Sequence, residues 1–217
     1  ICLPSLMRFG IHGRDFQQKS NRFIERLVDY LHRNRVEIWV SDKFLKQVKS
    51  PRIQSAKLKS FSLGQNLKGL DFFLSLGGDG TMLESVTYVN KAAVPILGIN
   101  TGRLGFLATT SREDSEKAID NLLKGNFTTD PRTLLKLTST PRLFDGLNFA
   151  LNDFTIMKKD TSSMITVHVY VDGELLNSYW SDGVIVSTPT GSTGYSLSCG
   201  GPLVYPKSGS MIITAVS

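Results

Sequence analysis

The stretch Asp71–Leu83 reads DFFLSLGGDGTML and decides the fold of the first half of the chain. It begins as a continuous apolar run, which predicts a strand buried on both faces of a parallel sheet. The glycines that follow favour a sharp turn and a close approach of the backbone to a ligand. The helix predicted after the turn would present free N–H groups and the positive end of its dipole, which suit phosphate.

One acidic residue, Asp79, stands inside this turn. A carboxylate would repel phosphate, so its better use is to accept the proton of a hydroxyl nucleophile or to hold a metal ion that bridges phosphates. The alternative is a plain Gly-Asp-Gly turn without chemistry, because short glycine motifs also occur by chance. A Walker loop is excluded, since no Gly-Lys-Ser/Thr follows.

Strand-like and helical runs alternate around this stretch with short connections, which favours a parallel sheet covered by helices. Strands are predicted over 8–12, 36–40, 70–76 and 94–99, and helices over 21–34, 43–48, 81–91 and 113–124. The segment 49–69 gives no clear prediction. We therefore expect an α/β domain over residues 1–126.

The pattern changes to short strands and turns after residue 126. Strands are predicted over 134–139, 149–157, 165–171, 175–180 and 184–187, and Asp172-Gly173 predicts a hairpin turn between two of them. We expect an all-β, sandwich-like domain over residues 127–217. The chain stops at Ser217 inside an apolar strand-like run, so we expect a fragment, or a chain whose tail is missing, with this domain incomplete.

Composition narrows the class of protein. The chain has 217 residues, a net charge of +6, 41% hydrophobic residues and two cysteines. No apolar run reaches the roughly 20 residues of a membrane helix and no signal peptide is visible, so we expect a cytoplasmic protein without a membrane partner. The basic residues are scattered and accompany no nucleic-acid motif, and the cysteines have no metal-ligand spacing, so we expect neither a nucleic-acid partner nor a protein metal site.

Two further motifs are candidates for ligand binding. Asn100–Leu107 follows a predicted strand and would lie at the same sheet edge as the glycine turn, where Arg103 could pair with phosphate and Phe106 could pack on a base. For Phe106 alone, a core phenylalanine is the simpler reading. Asn152 and Asp153 interrupt an otherwise apolar strand, and they could bond a ribose and an adenine edge or be an ordinary edge-strand pair.

The longest motif, Asp182–Pro202, is rich in glycine and hydroxyl groups around one aromatic residue, Tyr195. Backbone N–H groups and small donors around a ring suit a nucleotide. A flexible linker is the alternative, but apolar strand-like runs on both sides argue against it.

These four motifs, in this order, resemble the NAD kinase family, and the resemblance runs from about Asp71 to the end of the chain. Lys158 and the run 162–164 resemble the bacterial members. The resemblance implies a Rossmann-like first domain, a β-rich second domain, and a homo-oligomer in which neighbouring chains complete the site. It also implies phosphorylation of NAD at the 2'-hydroxyl of the adenosine ribose, with ATP as donor and magnesium neutralising its charge.

The resemblance also implies roles for single residues. Asp79 would be the proton acceptor with Gly80 beside NAD, Phe106 would lie on the adenine, Asn152 and Asp153 would hold the adenosine, and Asp182 would reach the nicotinamide end. The remaining pocket residues implied are Thr190, Thr193, Gly194, Tyr195, Ser196, Leu197 and Ser198.

Two residues depart from the family pattern. Glu84 stands where the family more often has a small or basic residue, so it is expected to repel phosphate, and Gly194 stands where alanine is usual. Two other functions remain open. The Gly-Gly-Asp-Gly-Thr turn also occurs in lipid kinases and resembles part of a sugar kinase site, and the chain could instead be an inactive nucleotide-binding fragment.

Overall fold

The computed structural model describes residues 6–14, 18–56, 58–102, 105–144, 146–160 and 163–217, with the backbone alone for 18–20 and 91. Arg103 of the predicted phosphate contact and Ser162 of the run 162–164 lie outside the described residues. The chain divides into two compact units, Ile1–Thr129 and Asp130–Ser217. The domain boundary predicted between 126 and 127 stays a prediction.

The first unit is built on a five-stranded parallel sheet whose order is β3-β2-β1-β4-β5. Its strands are β1 (Arg8–Gly13), β2 (Glu37–Ser41), β3 (Lys59–Phe61), β4 (Phe72–Leu76) and β5 (Ile96–Ile99). Its helices are α1 (Gln18–Arg33), α2 (Asp42–Gln47), α3 (Pro51–Ser55), α4 (Asp79–Val89) and α5 (Ser115–Leu123), with a 3₁₀ turn at Asn90–Ala92. This order confirms the α/β prediction, and α3 and β3 occupy the segment that gave none.

Apolar side chains fill both faces of β4, as its continuous apolar sequence predicts. On one face Leu74 and Leu76 are fully buried in a cluster that includes Leu27 and Leu31 of α1. On the other face Phe73 packs in a second cluster with Phe61 and Tyr88. The strand that leads to the glycine turn is therefore held from both sides, which fixes where the turn begins.

The second unit contains short antiparallel sheets, which agrees with the predicted all-β class. Its strands are β6 (Leu135–Lys136), β7 (Phe149–Ala150), β8 (Asp153–Met157), β9 (Ile165–Val171), β10 (Glu174–Ser181), β11 (Gly183–Ser187) and β12 (Ile212–Val216). They pair as β12-β11-β8, β10-β9 and β6-β7. A 3₁₀ turn at Thr190–Thr193 leads to the short helix α6 (Tyr195–Ser198).

Two predictions about the second unit have different outcomes. The hairpin turn between β9 and β10 is confirmed, since Asp172 and Gly173 both have positive φ, at 51° and 89°. The single strand predicted over 149–157 is wrong, because the chain bends at Leu151 and Asn152 between β7 and β8. The bend occurs where the backbone of these two residues bonds to the segment after β11 instead of continuing its own ladder.

Candidate functional site

The glycine turn of the first unit lies at the point where the strand order of the sheet reverses. β1 pairs with β2 on one side and with β4 on the other, and Gly13 stands beside Leu76 at the carboxyl ends of β1 and β4. Ligands of open α/β sheets bind at this kind of switch point. α4 starts there, with Gly78 as its N-cap and Asp79 as its first residue.

The carboxylate of Asp79 is bound by three consecutive backbone amides of the loop after β5. Oδ1 accepts from Leu107 N at 2.9 Å and from Ala108 N at 3.1 Å, and Oδ2 accepts from Phe106 N at 2.8 Å. Hydrogen bonds to an ionised acceptor are stronger than neutral ones. Asp79 is therefore held in one orientation and joins the start of α4 to this loop.

Asn100 closes the base of the same loop. Its backbone N–H donates to Thr110 O at 2.7 Å, and its buried side chain accepts from Gly102 N at 2.7 Å and donates to Ala108 O at 3.3 Å. Phe106 is 69% exposed. The simpler reading of Phe106 as a core residue is therefore wrong, because its backbone N–H is turned to Asp79 and its ring toward solvent.

Glu84, one turn further along α4, sits among positively charged side chains. Its carboxylate accepts from Lys43 Nζ at 2.5 Å, lies 3.5 Å from Arg14 Nη1 and lies 3.4 Å from Nε2 of the buried His12. Burial favours the neutral acid, but the hydrogen bond and charge of Lys43 outweigh it, so the pKa of Glu84 lies below its ordinary value. The negative charge of Glu84 is thus offset within the protein.

Arg14 also reaches the glycine turn. Its Nη2 atom lies 2.7 Å from the place where a Cβ on Gly80 would stand. Gly80 itself is exposed at the start of α4. A guanidinium and the positive end of an 11-residue helix therefore meet beside Gly80, a setting that attracts anions.

In the second unit, the segment after β11 wraps around the backbone of Asn152. Thr188 N donates to Asn152 O at 2.8 Å, and Thr188 Oγ1 donates to Leu151 O at 2.6 Å. Gly191 approaches so closely that a Cβ there would stand 2.3 Å from Asn152 O. The structure thus brings the backbone of Asn152 and the 3₁₀ turn together.

The side chain of Asn152 keeps an unused acceptor. Its Oδ1 is buried and has no hydrogen-bond partner within the described part of the chain. Next to it, Asp153 begins β8 opposite Ser187, and burial raises the pKa of the Asp153 carboxyl. A buried amide oxygen without a partner costs free energy unless a ligand satisfies it.

The predicted pocket residues between 190 and 198 differ in their exposure to solvent. Thr190 is buried and accepts from Arg132 Nη1 at 3.2 Å, and Ser196 is buried with its hydroxyl 2.8 Å from Thr214 Oγ1. A Cβ on Gly194 would lie 3.2 Å from Asn152 Nδ2. The exposed side chains are Tyr195, Leu197 and Ser198, and Thr193 is half-buried.

Asp182 lies in the short connection between β10 and β11. Its Oδ1 pairs with Lys158 Nζ at 2.7 Å, and its backbone N–H donates to Val216 O at 2.8 Å. Asp182 is therefore fixed at one end of the three-stranded sheet, whereas the bend at Asn152 lies at the other end, beside Ser187.

Comparison with known proteins decides the family. The family model of the ATP-NAD kinase N-terminal domain matches residues 9–127. The family model of the ATP-NAD kinase C-terminal domain matches residues 151–217. An NAD kinase from Cytophaga hutchinsonii is 49% identical over 97% of this chain and 73% of its own length. The chain belongs to the NAD kinase family. A second NAD kinase, from Christiangramia forsetii, is 42% identical with the same coverage.

Two solved NAD kinase-type structures share the fold. Yeast NADH kinase, solved with NADH, has a TM-score of 0.80 at 25% identity and covers 97% of this chain and 66% of its own. An NAD kinase from Archaeoglobus fulgidus, solved with ATP, has a TM-score of 0.70 at 27% identity. The match covers 97% of this chain and 72% of the Archaeoglobus chain.

Membership of the NAD kinase family confirms the predicted reaction, ATP-dependent phosphorylation of NAD to NADP, and the class of enzyme, a phosphotransferase. The lipid kinase, sugar kinase and inactive-fragment alternatives are not favoured. The roles of the single residues stay predictions. No helix in the described ranges is long and apolar enough to cross a membrane.

Sequence reasoning missed several residues that make contacts around the candidate site. It gave no role to Arg14, Lys43, Asn100 and Gly105 in the first unit, or to Arg132 in the second. For Asn100 a signal existed, since an asparagine directly after a buried strand and two residues before a glycine is typical of a side chain that bonds its own loop. The sequence carries no signal for Lys43 and Arg14, because their contacts with Glu84 join residues that are about 40 and 70 positions apart.

Proposed function

We propose that Asp79 accepts the proton of the adenosine 2'-hydroxyl while this oxygen attacks the terminal phosphorus of ATP. The O–H bond breaks as the new P–O bond forms, the bond to the β-phosphate breaks, and ADP leaves with the electron pair. The observation that carries the proposal is the position of Asp79 at the carboxyl end of β4, where three amides fix its orientation.

Phosphoryl transfer needs mainly positioning and neutralisation of charge. We assign the neutralisation of charge to the N-terminus of α4 and to Arg14 beside Gly80, because their positive electrostatic potential would attract the donor phosphates. Glu84 weakens this attraction little, since Lys43 Nζ pairs with its carboxylate at 2.5 Å.

In this proposal each unit, taken by itself, carries residues assigned to the binding of NAD. Phe106 offers an exposed ring for the adenine, and Asn152 offers a buried acceptor that lacks a partner among the described residues. Asp153 bonds the adenosine. Gly80, Asp182, Thr190, Thr193, Gly194, Tyr195, Ser196, Leu197 and Ser198 complete the proposed set.

Magnesium enters this proposal with the substrate, as the MgATP complex. Among the described residues, no group of three His, Cys, Asp or Glu side chains is arranged to hold a metal ion. Mg²⁺ commonly keeps its waters and binds substrate phosphates rather than a full protein cage. When bound to ATP, it would neutralise charge that develops on the phosphates.

We also propose a homo-oligomer located in the cytoplasm, in which Asp182 serves the pocket of a neighbouring chain. A verified monomeric variant should then lose affinity for NAD although every motif is intact. Equal NAD affinity and equal activity in such a monomer would contradict the shared pocket.

The central test is Asp79→Asn in the complete protein. Asparagine cannot take up the proton, so kcat should fall by about 10²–10⁴-fold, the usual contribution of a general base. Calorimetric binding of NAD should change little, because most of the proposed contacts remain. The matched control is Asp172→Asn, which places an asparagine in a hairpin turn that favours it, and it should leave kcat unchanged. A near-normal kcat for Asp79→Asn would remove the proton-acceptor role.

A further inference from the structure

The amide bonds of Asp79 are divided unequally between its two oxygens. A carboxylate has about four acceptor sites, two on each oxygen. Leu107 and Ala108 use both sites of Oδ1, whereas Phe106 uses one site of Oδ2. As far as the described residues show, Oδ2 is therefore the oxygen that retains an acceptor site toward which a substrate hydroxyl could point.

This arrangement requires that residue 105 has no side chain. A Cβ on Gly105 would stand 2.3 Å from Asp79 Oδ1, 2.6 Å from Cγ and 2.7 Å from Oδ2. Carbon and oxygen atoms that are not bonded rarely approach to less than about 3 Å. Any side chain at 105 would thus push the whole carboxylate away by about 1 Å, or move the loop that carries the three amides.

We propose that Gly105 is a positioning residue, which lets the loop amides hold Asp79 with Oδ2 as the single oxygen that receives the substrate proton. This inference rests on the proposed role of Asp79 in proton transfer. Gly105 touches neither substrate nor reacting atoms in this scheme and acts only through Asp79. A misplacement of about 1 Å can cost on the order of 10²-fold in rate.

The test compares Gly105→Ala with Gly209→Ala, each alone and in the Asp79→Asn background of the complete enzyme. Gly209 lies outside the motifs assigned to the site, and a Cβ there meets no atom within 4 Å, so this variant controls for the change of residue type. Gly105→Ala should lower kcat on the order of 10²-fold with KM for NAD nearly constant. Gly209→Ala should stay near the wild type.

The double variant separates positioning from a general disturbance. If Gly105 acts through the proton acceptor, Gly105→Ala should lower kcat by less than about threefold once Asp79 is already asparagine. An equal loss in both backgrounds, or a rise in KM with kcat unchanged, would overturn the proposal. A normal kcat for Asp79→Asn alone would instead refute the proposed proton acceptor, so the two failures differ.

A second variant covers the case that Gly105→Ala does not fold. Asp79→Glu keeps the carboxylate but lengthens the side chain by one methylene, so the carboxylate cannot occupy its present position between the three amides. Its kcat should fall as far as that of Asp79→Asn, within a few-fold. A kcat above about one tenth of the wild-type value would show that a carboxylate works there without this positioning.

Discussion

Gly191 lies so close to Asn152 that a Cβ on it would stand 2.3 Å from the backbone oxygen of Asn152 and 2.4 Å from Ser187 Oγ. The first contact is with backbone, which cannot rotate away as a flexible side chain could. The 3₁₀ turn at Thr190–Thr193 can therefore reach the bend at Asn152 only with glycine at this position.

We expect Gly191→Ala to lower the free energy of unfolding by about 1–3 kcal/mol, the usual cost of overpacking. The measurement is urea unfolding of the complete protein. Gly209→Ala is the control, because a Cβ at 209 meets no atom within 4 Å. Equal stability of the two variants would mean that the segment after β11 can shift to accommodate a Cβ at residue 191.

Asn152→Ala should weaken NAD binding by about 10- to 100-fold, since a buried, unpaired acceptor that a ligand satisfies is worth about 1–3 kcal/mol. Folding stability should change less, because Thr188 bonds the backbone oxygen of Asn152 and not its side chain. Calorimetry gives the dissociation constant. Asn177→Ala, on an exposed part of β10, should leave it unchanged. An unaltered dissociation constant for Asn152→Ala would exclude a direct contact with NAD.

Glu84→Gln should lower the free energy of unfolding by about 1–2 kcal/mol, because it removes the charged hydrogen-bond acceptor of Lys43 and the ion-pair partner of Arg14. The estimate is small since both cations are partly exposed. Glu174→Gln, an exposed site, is the matched control. Glu84 is thus a poor choice as a silent control for kinetics, and a Glu84→Gln protein as stable as the wild type would show that solvent replaces these contacts.

Stability should fall with acid through His12. Burial lowers the pKa of this histidine, although the negative charge of Glu84 opposes the shift. Below about pH 6.5, His12 binds a proton in the unfolded chain but not in the folded protein. The free energy of unfolding therefore decreases as the pH falls toward the pKa of His12 in the folded state.

The measurement is the difference in unfolding free energy between pH 7.5 and 5.5 for the wild type and for His12→Gln. The wild type should lose more. Other groups face His12, namely Glu84 and Tyr88 on α4, Lys43 on α2, and Arg14. The lowered pKa of Glu84 places its own effect at more acid pH. Equal losses in the two proteins would refute the assignment.

Local patterns predicted most of the fold because they act over a few residues. The apolar run before Gly77 and the helical stripe that includes Leu27 and Leu31 gave β4 and α1. The bend at Asn152 escaped prediction, since its cause is a hydrogen bond from Thr188, far away in the sequence.

For the candidate site, the sequence singled out residues but not the contacts that hold them. The position of Asp79 followed from the glycine turn, but its three amide bonds depend on how the loop after β5 folds back, which Asn100 decides through bonds to Gly102 and Ala108. Tertiary contacts of this kind produce no periodic pattern in the sequence. Glu84 shows the same limit, because an isolated carboxylate and one paired with Lys43 look alike in a sequence.

The two tryptophans of the chain fall one in each unit, and their surroundings differ. Trp39, on β2, is half-buried with its indole N–H bonded to Glu37 at 2.8 Å, whereas Trp180, on β10, is 75% exposed. The emission maximum of Trp39 should therefore shift to longer wavelength on unfolding, while that of Trp180 should barely move. Intrinsic fluorescence of a Trp180→Phe variant would then follow the melting of the first unit alone.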